Sequence, residues 1–496
     1  MADWSEIEAL KRVPLTQLFA DDPERLGKYS ADVAGIHFDW SKTHLTDEGI
    51  KAFEKLAKAS DLAGKREALF TGQVINVTEN RAVTHTAERG EGNPDDVARA
   101  QGLHARMRAL IDAIEKGALG PIRNVLHVGI GGSALGPDLL VDALGRDANR
   151  YEVAIVSNVD GLALEEAFKR FDPTATLLAI ASKTFTTTET MLNAESVIEW
   201  MQAGGVEDPY GRVVALTAEP DKAIEWGVDE TRILPFADTV GGRYSLWSSI
   251  GFPAAMALGW DAFSELLEGA AEMDRHFRLS ALHENVPALA AFGDLLYTQV
   301  LGAETRGVFC YDERLRLLPS YLQQLEMESN GKGVTIEGKP VGRPTAAITW
   351  GGVGTDQQHA VFQLLHQGTH LVPLEFVGVI EPGDHLDEDH HRNLLNNMFA
   401  QGAALMAGRK NPDDPARAYP GDRPSTTLLL DDLDARTLGA LIAFHEHRVF
   451  VSGVLLGINS FDQFGVELGK EMAKAAAKGD GDFDVSTADL IKRAFG

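Results

Sequence analysis

The chain has 496 residues, 44% hydrophobic and 24% charged, the balance of a soluble globular protein long enough for two large lobes or about three domains. Its net charge of −27 argues against a nucleic-acid or anionic-membrane partner, both of which need a basic face. A single cysteine, Cys310, excludes an intrachain disulfide and any multi-cysteine metal site; following Val308-Phe309, it reads as a small core residue.

The segment Met1–Leu10 is acidic and has no apolar core, so no signal peptide is expected. No run is recognised as long enough to span a bilayer, and the cytoplasm is the expected location. Residues 1–115 read as mainly helical, with an amphipathic stretch at Leu45–Ala59 and a short extended segment at Thr71–Thr78.

Beyond about residue 120 strands alternate with helices. Strands are predicted at Asn124–Ile130, Tyr151–Ser157, Thr176–Ala181, Arg212–Thr217 and Arg232–Phe236, with helices from Pro137, at Leu162–Arg170 and at Glu189–Met201. That alternation predicts a parallel, doubly wound sheet. A second series follows, with strands at Gly307–Tyr311, Ala346–Trp350 and His370–Gly378 and helices at Glu313–Met327, Gln357–Gln367 and Asp389–Met406. Asn411–Pro424 reads as a surface loop and Gly465–Lys478 as a late helix. Two α/β lobes are expected: a smaller one over 120–260, and a larger one from 1–119 plus 261–496.

Ser182-Lys183-Thr184-Phe185-Thr186-Thr187-Thr188 lies between a buried strand and a helix. Hydroxyls, free N–H groups and the positive end of the dipole together suit a phosphate monoester, and Lys183 adds a charge. The same turn is also an ample N-cap. Gly129-Ile130-Gly131-Gly132-Ser133-Ala134 fits G-x-G-x-x-A loosely. A dinucleotide fold needs an acidic residue ~20 positions on, and Asp160 comes later than that. Close backbone approach to a ligand remains, with Ser133 as a donor to the same anion; so does a plain strand–helix turn.

Arg243 sits between the pair Gly241-Gly242 and an apolar stretch, as a structural ion-pair partner or as a stabiliser of a developing oxyanion. Glu328 precedes Ser329-Asn330-Gly331 at the end of the predicted helix, as a surface carboxylate or as a proton carrier. His359 falls in the first turn of its predicted helix, where the dipole disfavours a cation; a capping or core histidine reads equally. Gln463 and Lys470 open the last helix and could face one cleft or solvent. His385, Asp387, Asp389, His390 and His391 have a metal-binding composition, but adjacent histidines point to different helix faces, and no metal site is assigned.

Together these segments resemble the glucose-6-phosphate isomerase family. The motifs that carry the resemblance are Gly241–Ser248 and Phe461–Lys470, supported by Gly129–Pro137, Ser182–Thr190, Glu328–Lys332, Lys65–Phe70 and Asn80–Val83, in family order from about residue 40 to 470. One departure is Asp356-Gln357, where the family commonly has Asn-Gly.

The resemblance implies α/β lobes of sugar-isomerase type, helical terminal segments, no cofactor, and a homodimer in which His359 is shared across subunits. It implies that Gly132, Ser133, Ser182, Lys183, Thr184 and Thr187 hold a sugar phosphate, with Gln324 and Gln463 along the sugar. It implies that Glu328 moves the proton, Arg243 stabilises an enediolate, and His359 and Lys470 assist ring opening. A phosphomannose isomerase of the same fold, or a non-catalytic sugar-phosphate sensor, is the rival reading.

Overall fold

A parallel strand covered by helices on both faces is apolar along its whole length rather than on alternate residues. That rule accounts for four of the strands. In the computed structural model, which describes residues 3–146, 150–479 and 481–495, the first four strands are β1 (Ser30–Val33), β2 (Ile36–Asp39), β3 (Val74–Asn76) and β4 (Arg81–Ala82). Next come β5 (Asn124–Gly129), β6 (Glu152–Val156), β7 (Thr176–Ala181), β8 (Val213–Thr217) and β9 (Ile233–Pro235). The last are β10 (Thr305–Tyr311), β11 (Ile348–Val353), β12 (Leu374–Val379) and β13 (Ser425–Leu430). β5, β7, β8 and β12 are buried at every position, whereas the edge strands β6 and β11 are not.

The chain divides into two units, Met1–Ser460 and Phe461–Gly496. The first holds both large sheets. One has the order β6-β5-β7-β8-β9 and is parallel throughout. The other has the order β1-β2-β13-β12-β10-β11. Its β13-β12-β10-β11 part is parallel, and the hairpin β1–β2 adds to it antiparallel through β2. Numbered by appearance within each sheet, the first follows the order 2-1-3-4-5 and the parallel part of the second follows 2-1-3-4. Each therefore has a point where the chain reverses direction across the sheet, and ligands bind at such points, outside the carboxyl ends of the strands. In the first sheet that point lies between β5 and β7.

Several elements differ from the sequence reading. Residues 1–115 are mainly helical as read, with β3 inside the expected extended segment, but the hairpin β1–β2, which drew no strand prediction, adds to the second sheet. Strand β11 extends through Gly351-Gly352, which read as a loop, and β13 falls in a segment that drew no strand prediction. The helix Ala435–Leu456 is long and apolar enough to cross a membrane, contrary to the sequence reading, but 94% of its most apolar window is buried inside the protein. It packs against the helices Trp260–Leu279 and Val286–Gln299, and nearly all of its residues are buried. The second unit contains the helices Glu467–Lys478 and Val485–Phe495, neither of which has a buried residue.

Candidate active site

At the switch point of the first sheet, Gly129 ends β5 opposite Ala181, which ends β7. The two loops that leave these ends are the glycine loop and the Ser/Thr loop. Gly131 has φ +59°, a conformation that L side chains rarely adopt. A Cβ on Gly132 would lie 2.2 Å from the carbonyl carbon of Gly242, so only glycine lets this loop touch the turn that carries Arg243. A Cβ on Gly131 would lie 2.9 Å from Gln324 Nε2. Beneath the loop, buried His127 sits with Nε2 2.7 Å from the Ser133 carbonyl.

The Ser/Thr loop is strained at Phe185, a buried aromatic residue at φ +51°. Bulky residues at positive φ are rare and cluster where a backbone is held for function. Thr187 is the N-cap of the helix Thr188–Ala203 but gives no side-chain cap; its hydroxyl lies 3.0 Å from Ser182 Oγ instead. The first N–H groups of that helix are thus left for a ligand. Thr186 donates to Thr184 Oγ1 at 2.9 Å. Lys183 Nζ donates to the Asp238 carbonyl at 2.6 Å and sits 3.1 Å from the Asp238 carboxylate. It ties this loop to the segment that leads into Gly241-Gly242-Arg243.

Arg243 has a buried side chain, 1% exposed. Its Nη1 donates to Glu328 Oε1 at 2.9 Å, its Nε to Ser329 Oγ at 2.7 Å and its Nη2 to the Ser460 carbonyl at 2.5 Å. Tyr244 Oη lies 2.8 Å from the same Ser329 hydroxyl. A few residues on, Trp247 Nε1 donates to Glu446 at 2.8 Å. Glu446 and Asp274 both pair with the single charge of buried Arg89, and burial pushes Glu446 up to about 7. This buried network anchors the segment that presents Arg243.

The predicted helix Glu313–Met327 is broken in the structure. It resolves into a 3₁₀ turn (Glu313–Leu315), a short helix (Leu318–Gln323) and a π-helical turn (Gln324–Glu328). Glu328 closes a π turn within a helical run that continues through Ser329 and Asn330, and such turns are frequent at functional sites. Gln324 Nε2 donates to Glu328 Oε2 at 2.8 Å, so both carboxylate oxygens have a donor. The Glu328 side chain remains 22% exposed. Lys332 Nζ donates to its carbonyl at 3.0 Å.

The structure thus gathers Gly131, Gly132, Arg243, Gln324 and Glu328, with the Ser/Thr loop on the adjacent strand. His359 is not among them. Its helix begins at Gly354, not Gln357, so His359 lies in the last turn, exposed, and the dipole argument for a neutral imidazole fails there. It makes no side-chain hydrogen bond or ion pair among the described residues. Gln463 and Lys470 belong to the second unit, Gln463 just before a 3₁₀ turn and Lys470 in the helix Glu467–Lys478. In the His/Asp-rich segment, Asp387 caps the helix Glu388–Ala407 and His391 Nε2 faces the Ile380 carbonyl at 2.8 Å. No group there is placed to hold a metal among the described residues. Cys310 is buried in β10, and burial drives its thiol well above the ordinary range.

Sequence reasoning missed Ser329, Tyr244, His127 and the Ser460 carbonyl. Ser329 adjoins Glu328 and was within reach of the motif; the carbonyl carries no sequence signal.

The second sheet's corresponding crevice, between β10 and β12, holds the chain's own ion pair. Arg314 pairs with Asp312 at 2.8 Å and reaches the Glu381 carbonyl at 3.4 Å.

Two doubly wound sheets, with a hydroxyl-rich loop at the end of β7 and an arginine–carboxylate pair beside the glycine loop at the end of β5, define an α/β protein of the sugar isomerase fold. The crystal structure of a glucose-6-phosphate isomerase from Chlamydia trachomatis D/UW-3/Cx is similar over 97% of this chain and 95% of that one, with a TM-score of 0.89 and 31% sequence identity. The glucose-6-phosphate isomerase of Rhizorhabdus wittichii is 69% identical over 496 residues, covering 100% of this chain and 99% of that protein. That of Zymomonas mobilis subsp. mobilis is 62% identical over 495 residues, covering 99% and 97%. The family profile described as phosphoglucose isomerase matches residues 39–491, and the chain belongs to that family.

Proposed function

We propose that this chain interconverts glucose 6-phosphate and fructose 6-phosphate, the aldose–ketose step shared by glycolysis and gluconeogenesis, with Glu328 and Arg243 at the reacting carbons. The observation that carries the reading is the cluster in which Arg243 and Gln324 each donate to one oxygen of Glu328, packed against the glycine loop at the β5/β7 switch point.

The reaction removes a proton from the carbon next to a carbonyl and returns it one carbon away. It requires a carboxylate base and a cation beside the oxygen that becomes negative. Glu328 is the base, and Arg243 stabilises the cis-enediolate. The pair is preformed, so little reorganisation is needed when charge develops. Gln324 orients the carboxylate and faces the sugar.

The phosphate binds at Ser182, Thr184 and Thr187 and at the free N–H groups of the helix Thr188–Ala203, with Gly132 and Ser133 on the neighbouring loop. Lys183 adds positive charge while holding that loop to the Arg243 segment. Phosphate binding, remote from the reacting carbons, fixes the sugar for proton transfer. On this reading 120–260 is the phosphate-binding lobe, and 1–119 plus 261–496 is the larger one.

His359, Lys470 and Gln463 are assigned by the family resemblance. His359 and Lys470 act on the ring oxygen and Gln463 lines the sugar. His359 serves the partner subunit of a homodimer, which its exposure and its lack of side-chain partners among the described residues support. The two terminal helices without buried residues are likewise suited to a second copy. The net charge of −27 argues against nucleic acid as a partner, and a cytoplasmic setting fits a sugar phosphate substrate.

The test is conversion of fructose 6-phosphate, read by a glucose-6-phosphate-specific dehydrogenase. Wild type is expected to turn over and Glu328→Gln to lose turnover while still binding sugar phosphate. No turnover by wild type that still binds sugar phosphate moves the reading to a sensor; preference for mannose 6-phosphate moves it to a different isomerase.

A further inference from the structure

Residues two apart in a helical turn point to roughly opposite sides. Within Gln324–Glu328, Glu328 faces Arg243 and Gln324, so Glu326 faces away from the site. Its environment there is specific. One carboxylate oxygen accepts from Arg306 Nη2, and the other accepts from Thr349 Oγ1 at 2.5 Å. Arg306 and Thr349 are register partners on the adjacent strands β10 and β11. Arg306 also pairs with Glu375 of β12 at 3.2 Å. Arg448 in turn binds Glu375 at 2.5 Å and both oxygens of Asp294 at 2.6 Å. The turn that carries Glu328 is thereby moored to three strands of the second sheet.

The Arg306 side chain is 4% exposed and that of Glu326 12%. Stability alone is a poor reason for ions in such a place, because apolar replacements of buried pairs are often neutral or stabilising. A fixed carboxylate does, however, hold one rotation of a turn that lacks regular α-helical hydrogen bonds. A base must sit within a fraction of an ångström of the proton it takes, and an error of about 1 Å costs of order a hundredfold.

We propose that Glu326, held by Arg306 and Thr349, is a positioning residue that sets the placement of the Gln324–Glu328 turn and hence of Glu328 for proton transfer. The proposal rests on the reading of Glu328 as the base. Neither Glu326 nor Thr349 touches the substrate; both act through the backbone of the turn, and the phosphate loop is on the other sheet.

The experiment compares Thr349→Val, which keeps the shape and removes the hydroxyl, with Thr349→Ser, which keeps the hydroxyl. Glu326→Gln and Glu328→Gln are measured beside them. For Thr349→Val we expect a fall in kcat of about tenfold, KM for fructose 6-phosphate within about twofold, and a displaced acid limb of the kcat/KM pH profile. Thr349→Ser restores all three, and Glu326→Gln behaves like Thr349→Val. Wild-type kcat and acid limb in Thr349→Val and Glu326→Gln overturn the proposal. So does a loss of kcat that leaves the acid limb in place and that Thr349→Ser does not restore. Active Glu328→Gln overturns the base assignment itself; inactive Glu328→Gln beside wild-type behaviour in Thr349→Val overturns the positioning role alone. If Thr349→Val fails to fold, Glu326→Gln carries the same comparison.

Discussion

Arg243 meets Glu328 at 2.9 Å through Nη1 while its Nε and Nη2 are fixed by Ser329 and the Ser460 carbonyl. The guanidinium is held on three sides, and one of those sides is the base itself. Lysine has no fork and cannot satisfy the same geometry. Arg243→Lys is therefore expected to lose about 10²–10³-fold in kcat, the cost typical of removing one oxyanion donor, with a smaller change in KM. Steady-state kinetics with fructose 6-phosphate provide the check, and near-wild-type kcat in Arg243→Lys would remove Arg243 from the reacting centre.

The Ser/Thr loop lies at the end of β7, away from the turn that carries Glu328, so damage to it should separate from damage to the base. Ser182→Ala and Thr187→Ala each remove one member of the 3.0 Å hydroxyl pair. Hydrogen bonds to a charged group contribute about 1.5–3 kcal/mol, so each change should raise KM by roughly ten- to a hundredfold. Inhibition by a non-isomerisable sugar phosphate should weaken in step. Equal inhibition constants in wild type and both variants would take these hydroxyls out of the phosphate site.

How much of this was readable in advance follows from where the information sits. Thr176–Ala181 was legible to the residue, because a strand buried on both faces has one unbroken apolar run. The Ser/Thr loop was legible because its donors are contiguous in sequence. The π turn was not, since five residues cannot separate one helical period from another. The hairpin β1–β2 was too short and too mixed to register, although its register against β13 completes a sheet. The partners of Glu326 lie at positions 306 and 349, and only the pairing of β10 with β11 brings them to one point. His359 shows the remaining gap. A helix start misplaced from Gly354 to Gln357 reversed the sign of the dipole argument.

The exposed position of His359 gives the shared-site reading a direct test. Glu328→Gln and His359→Ala subunits should each be inactive alone. If each site takes Glu328 from one chain and His359 from the other, mixing the two after dissociation and reassociation makes one intact site per mixed dimer. Random pairing then recovers about a quarter of wild-type activity. Recovery is expected; its absence from dimers shown by mass to be mixed would place both residues in one chain's site or leave His359 outside it.

His127 supplies a prediction about pH. It is buried under the glycine loop, Nε2 facing the Ser133 carbonyl, while Nδ1 meets no partner among the described residues. A proton on Nδ1 would be a buried charge without an acceptor, and burial lowers the imidazole to about 4. In the unfolded chain it titrates near its ordinary value of about 6.5. Between those two values the unfolded state binds the proton and the folded state does not, so stability rises with pH and is lost as pH falls from about 6.5 towards 4. The loss is about 2 kcal/mol between pH 6.5 and 5, at about 1.4 kcal/mol per unit. His127→Gln keeps an amide donor for Ser133 and removes the titration. Its melting temperature should therefore fall less than that of wild type over the same interval, whatever its value at pH 7. Parallel melting curves from pH 7 to pH 5 would mean that the imidazole accepts its proton in the folded protein, and that the loop above it moves to let it do so.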